Sequence, residues 1–330
     1  MTIRLTDLIA QIRDPETVRE TVQNTRDRTR SVLQDALRGE CRLVMRTPEE
    51  TEERTPGAQV PVVLESGYPD VLKSIEFPDN IEIVLLLSRY RTTLEEASSG
   101  ASGLLKLLGD LDERTAAEIW MPADSSHIRS TLDWAQTLLR VLDAHDPLGK
   151  VLAVREDILG VYKYEIESQN GLFFDDRQVN RASIRLYWAV LGLASQWMGC
   201  RVEDLTLVVL VHELAHAYTQ LGADIEGRRW PPVAFTKADI EVKEGLAQYY
   251  TDRVLQRLKR RYPESFAVYK QMLPRQPKAY RTHLEWINNS TPEAVRRAML
   301  ETRRRQEGKL SDFNRRLADA QQQLKPLAQS

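Results

Sequence analysis

Glu203-Asp204-Leu205-Thr206-Leu207-Val208-Val209-Leu210-Val211-His212-Glu213-Leu214-Ala215-His216-Ala217-Tyr218-Thr219-Gln220-Leu221-Gly222 is the stretch on which the reading of this chain turns. It is apolar nearly all round a helical projection, which predicts an interior helix. Glu203 and Asp204 put negative charge at the positive end of the helix dipole. Gly222 predicts a left-handed cap, because only glycine takes that conformation without strain. The uninterrupted apolar run falls well short of the about 18 residues that suggest a membrane span.

His212 and His216 lie four apart, so a helix turning every 3.6 residues projects both from one face. Both can reach one metal ion. Glu213 lies about 100° further round and is left to hold a water rather than the metal. This H-E-x-x-H arrangement carries the chemistry of zinc-dependent hydrolysis. The chain has five histidines among its 330 residues, so their meeting at this spacing beside a glutamate is a specific signal. The plain alternative is a pair of core histidines held by hydrogen bonds. Burying two imidazoles and a carboxylate without a partner is costly, which favours the metal.

A catalytic zinc takes three protein ligands and keeps a fourth position open. The pattern H-E-x-x-H-x-x-G-x-x-H does not supply the third, since Thr219 and Gly222 stand at its later positions. A second helix is predicted from Thr236, which with Asp239 makes a capping-box-like start, to about Tyr262, where Pro263 ends it. On it Ile240, Glu244, Ala247, Thr251, Val254, Leu255 and Leu258 fall on one stripe, so Glu244 faces inward. Glu241 shares its face with Gln248, Asp252 and Lys259, which reads as solvated. Glu244 is therefore the favoured third ligand, with Glu241 and Asp224 as alternatives. Gly245 removes a side chain where helices can pack closely.

The string Lys243-Glu244-Gly245-Leu246-Ala247-Gln248-Tyr249 resembles the N/K-E-G-F-A-x-Y string of the gluzincin metallopeptidases, such as the aminopeptidase N group. The resemblance covers 210–255 and, loosely, 155–290. It implies a zincin-like core in which His212, His216 and Glu244 hold Zn2+ and Glu213 is the general base. The family also places a tyrosine or histidine downstream to stabilise the oxyanion. Tyr280 and His283 are the candidates for that role, with ordinary surface polar residues as the alternative. His127 and His145 read as bystanders. The chain departs from the family in a longer gap between His216 and Glu244, filled by residues 222–232. It also lacks an anchor for a substrate amino terminus. The expected activity is zinc-dependent hydrolysis of peptide bonds by a protease of restricted specificity. A zinc amidohydrolase acting on a non-protein amide, or a zinc-binding interaction protein without turnover, are the alternatives.

Composition sets the frame. With 42% apolar and 28% charged residues the chain reads as an ordinary globular protein. A net charge of −2 gives no pull toward nucleic acid or anionic membrane. Cys41 and Cys200 make no disulfide framework, and Met1-Thr2-Ile3-Arg4-Leu5-Thr6-Asp7 lacks an apolar signal core, so a cytoplasmic protein is expected. Its expected partners are a peptide or protein substrate and a regulatory protein engaged through the N-terminal region, with no membrane and no nucleic acid.

The expected fold class is α+β and mostly helical, with a small sheet beside the H-E-x-x-H helix. Residues 1–146 read as a mainly helical accessory region, 147–290 as the core, and 291–330 as a helical extension. Within the first, helices break near Asp14-Pro15, residues 47–59 form a charged loop, and apolar stretches follow at 60–64 and 81–88. Ser98-Ser99-Gly100-Ala101-Ser102-Gly103 reads as a turn or linker. A helix follows from about Ser126 to His145. In the core, residues 158–165 read as a strand. Asn170-Gly171 reads as a hairpin turn, with Leu172-Phe173-Phe174 returning from it. A strand or helix starting at Ala182 ends near Gly199. Thr291 caps a last helical region carrying Arg296, Arg297, Arg303, Arg304 and Arg305, a charge run read as a solvated face.

Overall fold

The structure, a computed structural model, describes residues 2–45, 60–78, 81, 84, 90–110, 122–144, 146–153, 158–166 and 179–324. The stretch 47–59, Asn170-Gly171, Leu172-Phe173-Phe174, His145 and most of 81–88 lie outside the described residues.

The chain is mostly helical with a small sheet. It opens with β1 (Thr2–Arg4), α1 (Leu5–Ala10) and the long α2 (Pro15–Cys41). Asp14 starts α2 as the break at Asp14-Pro15 predicts: its carboxylate accepts from the Thr17 amide at 3.3 Å, and proline follows at the first helical position. β2 (Val62–Glu65), β3 (Glu76–Pro78), α3 (Arg91–Asp110), α4 (Pro122–Ala144) and α5 (Pro147–Leu152) follow. Ser98–Gly103 lies inside α3, so the linker expectation is wrong there. Two glycines and three serines weaken a helix, but flanking helix formers and packing against α4 outweigh them.

The remainder holds β4 (Gly160–Ile166), β5 (Val179–Tyr187), α6 (Trp188–Met198) and α7 (Val202–Leu221). Then come α8 (Pro232–Lys237), α9 (Ile240–Leu258), α10 (Pro263–Met272), α11 (Lys278–Arg281) and α12 (His283–Asn289). The C-terminal helices are α13 (Pro292–Arg304) and α14 (Leu310–Leu324). β5 is the centre of a three-stranded sheet, antiparallel to β4 and parallel to β2. Both β4 and β5 lie against α7. Gly199, at φ 64°, caps α6 in the left-handed region, which favours glycine.

α7 is buried from Asp204 to Gln220, as its all-round apolar sequence predicts. It packs against α2, α6, α9 and α10 as well as the sheet. Thus α2, from the region read as accessory, lies directly on the histidine helix. The Tyr218 hydroxyl donates to the Gln34 carbonyl at 3.2 Å, and Glu40 pairs with Arg253 of α9 at 2.9 Å. Gly222 does not make the predicted left-handed cap; its φ is −60° and ψ 127°. Space is what requires glycine there, since a Cβ would lie 2.5 Å from the Tyr218 carbonyl oxygen and 2.8 Å from Leu43 Cβ. The Gly222 carbonyl accepts from the buried Arg303 guanidinium, which also reaches the Arg228 carbonyl at 3.2 Å.

The start of the second helix also differs from expectation. Thr236 belongs to the separate short α8, and Asp239 precedes α9 without a side-chain capping bond. Asp239 instead accepts from the Leu310 amide at 2.8 Å, tying α9 to the C-terminal helices. The arginine run of α13 is not one solvated face. Arg296 and Arg297 pair with Glu293, Arg304 and Arg305 with Glu301, and Arg303 is buried. Among the described residues, no helix is long and apolar enough to cross a membrane.

Candidate metal centre

α7 and α9 lie side by side and bring three side chains together. Nε2 of His212 is 3.3 Å and Nε2 of His216 3.2 Å from the same Glu244 oxygen, and the two nitrogens are 3.2 Å apart. All three residues are buried, with 7%, 5% and 7% exposure. Helical spacing brings this about. His212 and His216 share the α7 face toward α9, and the α9 stripe turns Glu244 toward them. Glu241 is half-buried and Asp224 folds on its own loop, accepting from the Arg228 amide at 2.8 Å. Neither belongs to the cluster, which among the described residues is His212, His216 and Glu244.

The donor set fits a metal ion. Two imidazole nitrogens and a carboxylate oxygen are catalytic zinc ligands, and atoms about 2.0–2.1 Å from one tetrahedral centre lie about 3.3 Å apart. The triangle found here has edges of 3.2, 3.2 and 3.3 Å. Nδ1 of His212 is buried with no hydrogen-bond partner among the described residues. Burial by itself would raise the Glu244 carboxyl, but the charge and hydrogen bonds of His216 and His212 outweigh it and hold it well below the usual carboxylate range.

Glu213 is 1% exposed and lines a cleft beside His212. The start of β4 presses on it: a Cβ on Gly160 would stand 2.7 Å from Val209 Cγ1 and 3.2 Å from Glu213 Cγ. The cleft encloses a cavity of about 60 Å³, room for a few waters. Its apolar wall is Leu152, Ile158, Leu159, Val208, Val209 and Met272, and its polar side adds Gln248, Thr251, Gln276, Tyr269 and Tyr280.

The structure separates the two downstream candidates. Tyr280 lines the cleft, and its ring stacks on His212 with centroids 5.9 Å apart. His283 is not among the cleft-lining residues and is 0% exposed. Its Nδ1 donates to the Tyr280 carbonyl at 2.9 Å, and its Nε2 accepts from the Tyr269 hydroxyl at 3.0 Å. Burial lowers its pKa to about 4, against the partial opposition of Asp252. Neither residue is the surface polar group that was the alternative, since Tyr280 is 7% exposed. His127 is exposed on α4.

Two groups near the site escape the sequence reading. Gln248 and Asp252, read as solvated, are 3% and 2% exposed. α10 and the turn after it cover them: Lys270 pairs with Asp252 at 2.8 Å and the Gln276 side chain accepts from Gln248 at 3.2 Å. The spacing of four between Glu244 and Gln248 is the signal that could have found the latter. Gly160 has no such signal, because its requirement comes from a helix distant in sequence. No family model, curated protein or solved structure matches the chain.

Proposed function

We propose that this protein is a zinc-dependent peptidase. The observation that supports it is the convergence of His212, His216 and Glu244 at 3.2–3.3 Å beside a cleft that contains Glu213. His212, His216 and Glu244 would hold the ion. When bound, zinc supplies a Lewis acid that polarises a carbonyl and brings the pKa of a water to about 7. Glu213 takes the proton of the attacking water and delivers it to the leaving amine. Tyr280 donates from its hydroxyl to the carbonyl oxygen as that atom gains charge. His283 holds the Tyr280 backbone from behind and touches no substrate. The apolar wall excludes water and receives an apolar side chain.

Glu213→Gln tests this reading. The three ligands stay intact, so the variant should retain zinc at the wild-type level by elemental analysis. Cleavage of a peptide mixture, read by mass spectrometry, should fall by about 10²–10⁴-fold. Full activity in the variant removes Glu213 as the base. Failure of the zinc-loaded wild type to cut any peptide in the mixture removes the peptidase reading.

A further inference from the structure

The cleft contains a buried polar group that the chemistry above leaves unused. Gln248 lies one turn beyond Glu244 on α9, is 3% exposed, and lines the same cavity as His212 and Glu213. Its Nε2 donates to Oε1 of Gln276 at 3.2 Å, while its own Oε1 is buried with no hydrogen-bond partner among the described residues. A buried acceptor is costly to leave unmet, and native structures keep one mainly where something else comes to meet it. Gln276 fixes the rotamer of Gln248 from the short turn ahead of Pro277, so the free oxygen is positioned rather than mobile.

We infer that Gln248 is the backbone-recognition residue of this cleft, accepting a hydrogen bond from the N–H of an aliphatic residue next to the scissile bond. The inference rests on the peptidase reading and names its substrate class: internal peptide bonds flanked by an aliphatic side chain. Three features converge on that class. The acceptor is neutral, so it suits an amide N–H; with the Glu213 and Glu244 carboxyl groups near it, a third carboxylate would add repulsion. The wall built from Leu152, Ile158, Leu159, Val208, Val209 and Met272 takes an aliphatic side chain. No lysine or arginine lines the cleft among the described residues, so it offers no counter-ion to a terminal carboxylate.

Binding of three hydroxamates to the zinc-loaded full-length chain, measured by calorimetry, tests the assignment. Acetohydroxamate reaches only the metal. N-acetyl-L-leucine hydroxamate adds the side chain and a backbone N–H, and its N-methyl form lacks that hydrogen. N-methylation should weaken binding to the wild type about tenfold, the usual range for one neutral hydrogen bond to a buried acceptor. Gln248→Met should bind the two leucine probes alike and should keep wild-type affinity for acetohydroxamate. The inference is overturned if N-methylation costs the wild type nothing, or costs Gln248→Met as much. Should Gln248→Met not fold, the two leucine probes on the wild type decide alone. Failure of the wild-type chain to take up zinc, read by elemental analysis before the titrations, overturns the metal reading, and this inference with it.

Discussion

Two histidine environments lie within a few residues' reach of α9, and depth of burial does not tell them apart. His283 is 0% exposed, and His212 and His216 are 7% and 5% exposed. What differs is where the ring nitrogens point. Each nitrogen of His283 meets one complementary atom, the Tyr280 carbonyl and the Tyr269 hydroxyl. That fixes the tautomer and satisfies the ring without a cation. In the other environment both Nε2 atoms aim at one Glu244 oxygen and at each other, and Nδ1 of His212 has no partner among the described residues. A buried histidine is structural when its hydrogen bonds close around it. It is a ligand candidate when its lone pairs converge on a common point.

Zinc affinity should separate the two environments most. Zinc sites release about 10–16 kcal/mol on binding, so one ligand of three or four accounts for about 4 kcal/mol, or about 10³-fold in Kd. Glu244→Ala should lose about that much in competition with a chromophoric chelator. Glu241→Ala and His283→Gln should both match the wild type. Wild-type affinity in Glu244→Ala would take away the third-ligand assignment. A comparable loss in His283→Gln would dissolve the distinction between the environments.

Acid should act on His283. Its pKa is about 4 in the fold against 6.5 for the free side chain, so the fold favours the neutral ring. Between those values the unfolded chain binds more protons, and stability rises with pH. The contribution is complete above about pH 6.5 and is lost as pH falls through about 4, up to about 3 kcal/mol in all. Urea unfolding at pH 7.5 and pH 4.5 should therefore cost the wild type about 2–3 kcal/mol more than it costs His283→Gln. Parallel pH dependence in the two proteins would mean that the ring is not held neutral.

Much of this arrangement is legible in the sequence, for reasons that differ by element. α7 is legible because an all-round apolar helix has only one place to go. Glu244 is legible because a lone carboxylate on an apolar stripe asks for a cation. The opposite stripe misleads. Gln248 and Asp252 carry the same polar signature as a solvated face, and Lys270 of α10 and Gln276 of the turn after it convert that face into an interior one. Gly222 illustrates a second limit. Glycine after a helix reads as a left-handed cap, yet here a close approach to Leu43, far off in sequence, is what requires it. His283 gives a third: a histidine among polar residues looks exposed until its two partners are in place. Local periodicity reports which face is apolar; it does not report what a distant segment brings to a polar one.

The two environments meet at Gly245. Trp286, on the helix that begins with His283, lies so close to α9 that a Cβ on Gly245 would stand 2.6 Å from its ring. The indole has little room to yield, since it packs on Phe313 at 4.4 Å between centroids and donates to Asn314 at 3.3 Å. Gly245→Ala should therefore cost about 1–3 kcal/mol through overpacking, read as a lowered urea midpoint. Its effect on zinc should be smaller, under about tenfold, because α7 packs along α9 where the ligands meet while the strain falls on the α12 contact. If zinc affinity instead falls as far as in Glu244→Ala, the metal centre depends on the α12 contact as much as on its own ligands. The histidine enclosed by its own hydrogen bonds would then be part of the support of the converging pair rather than its counterexample.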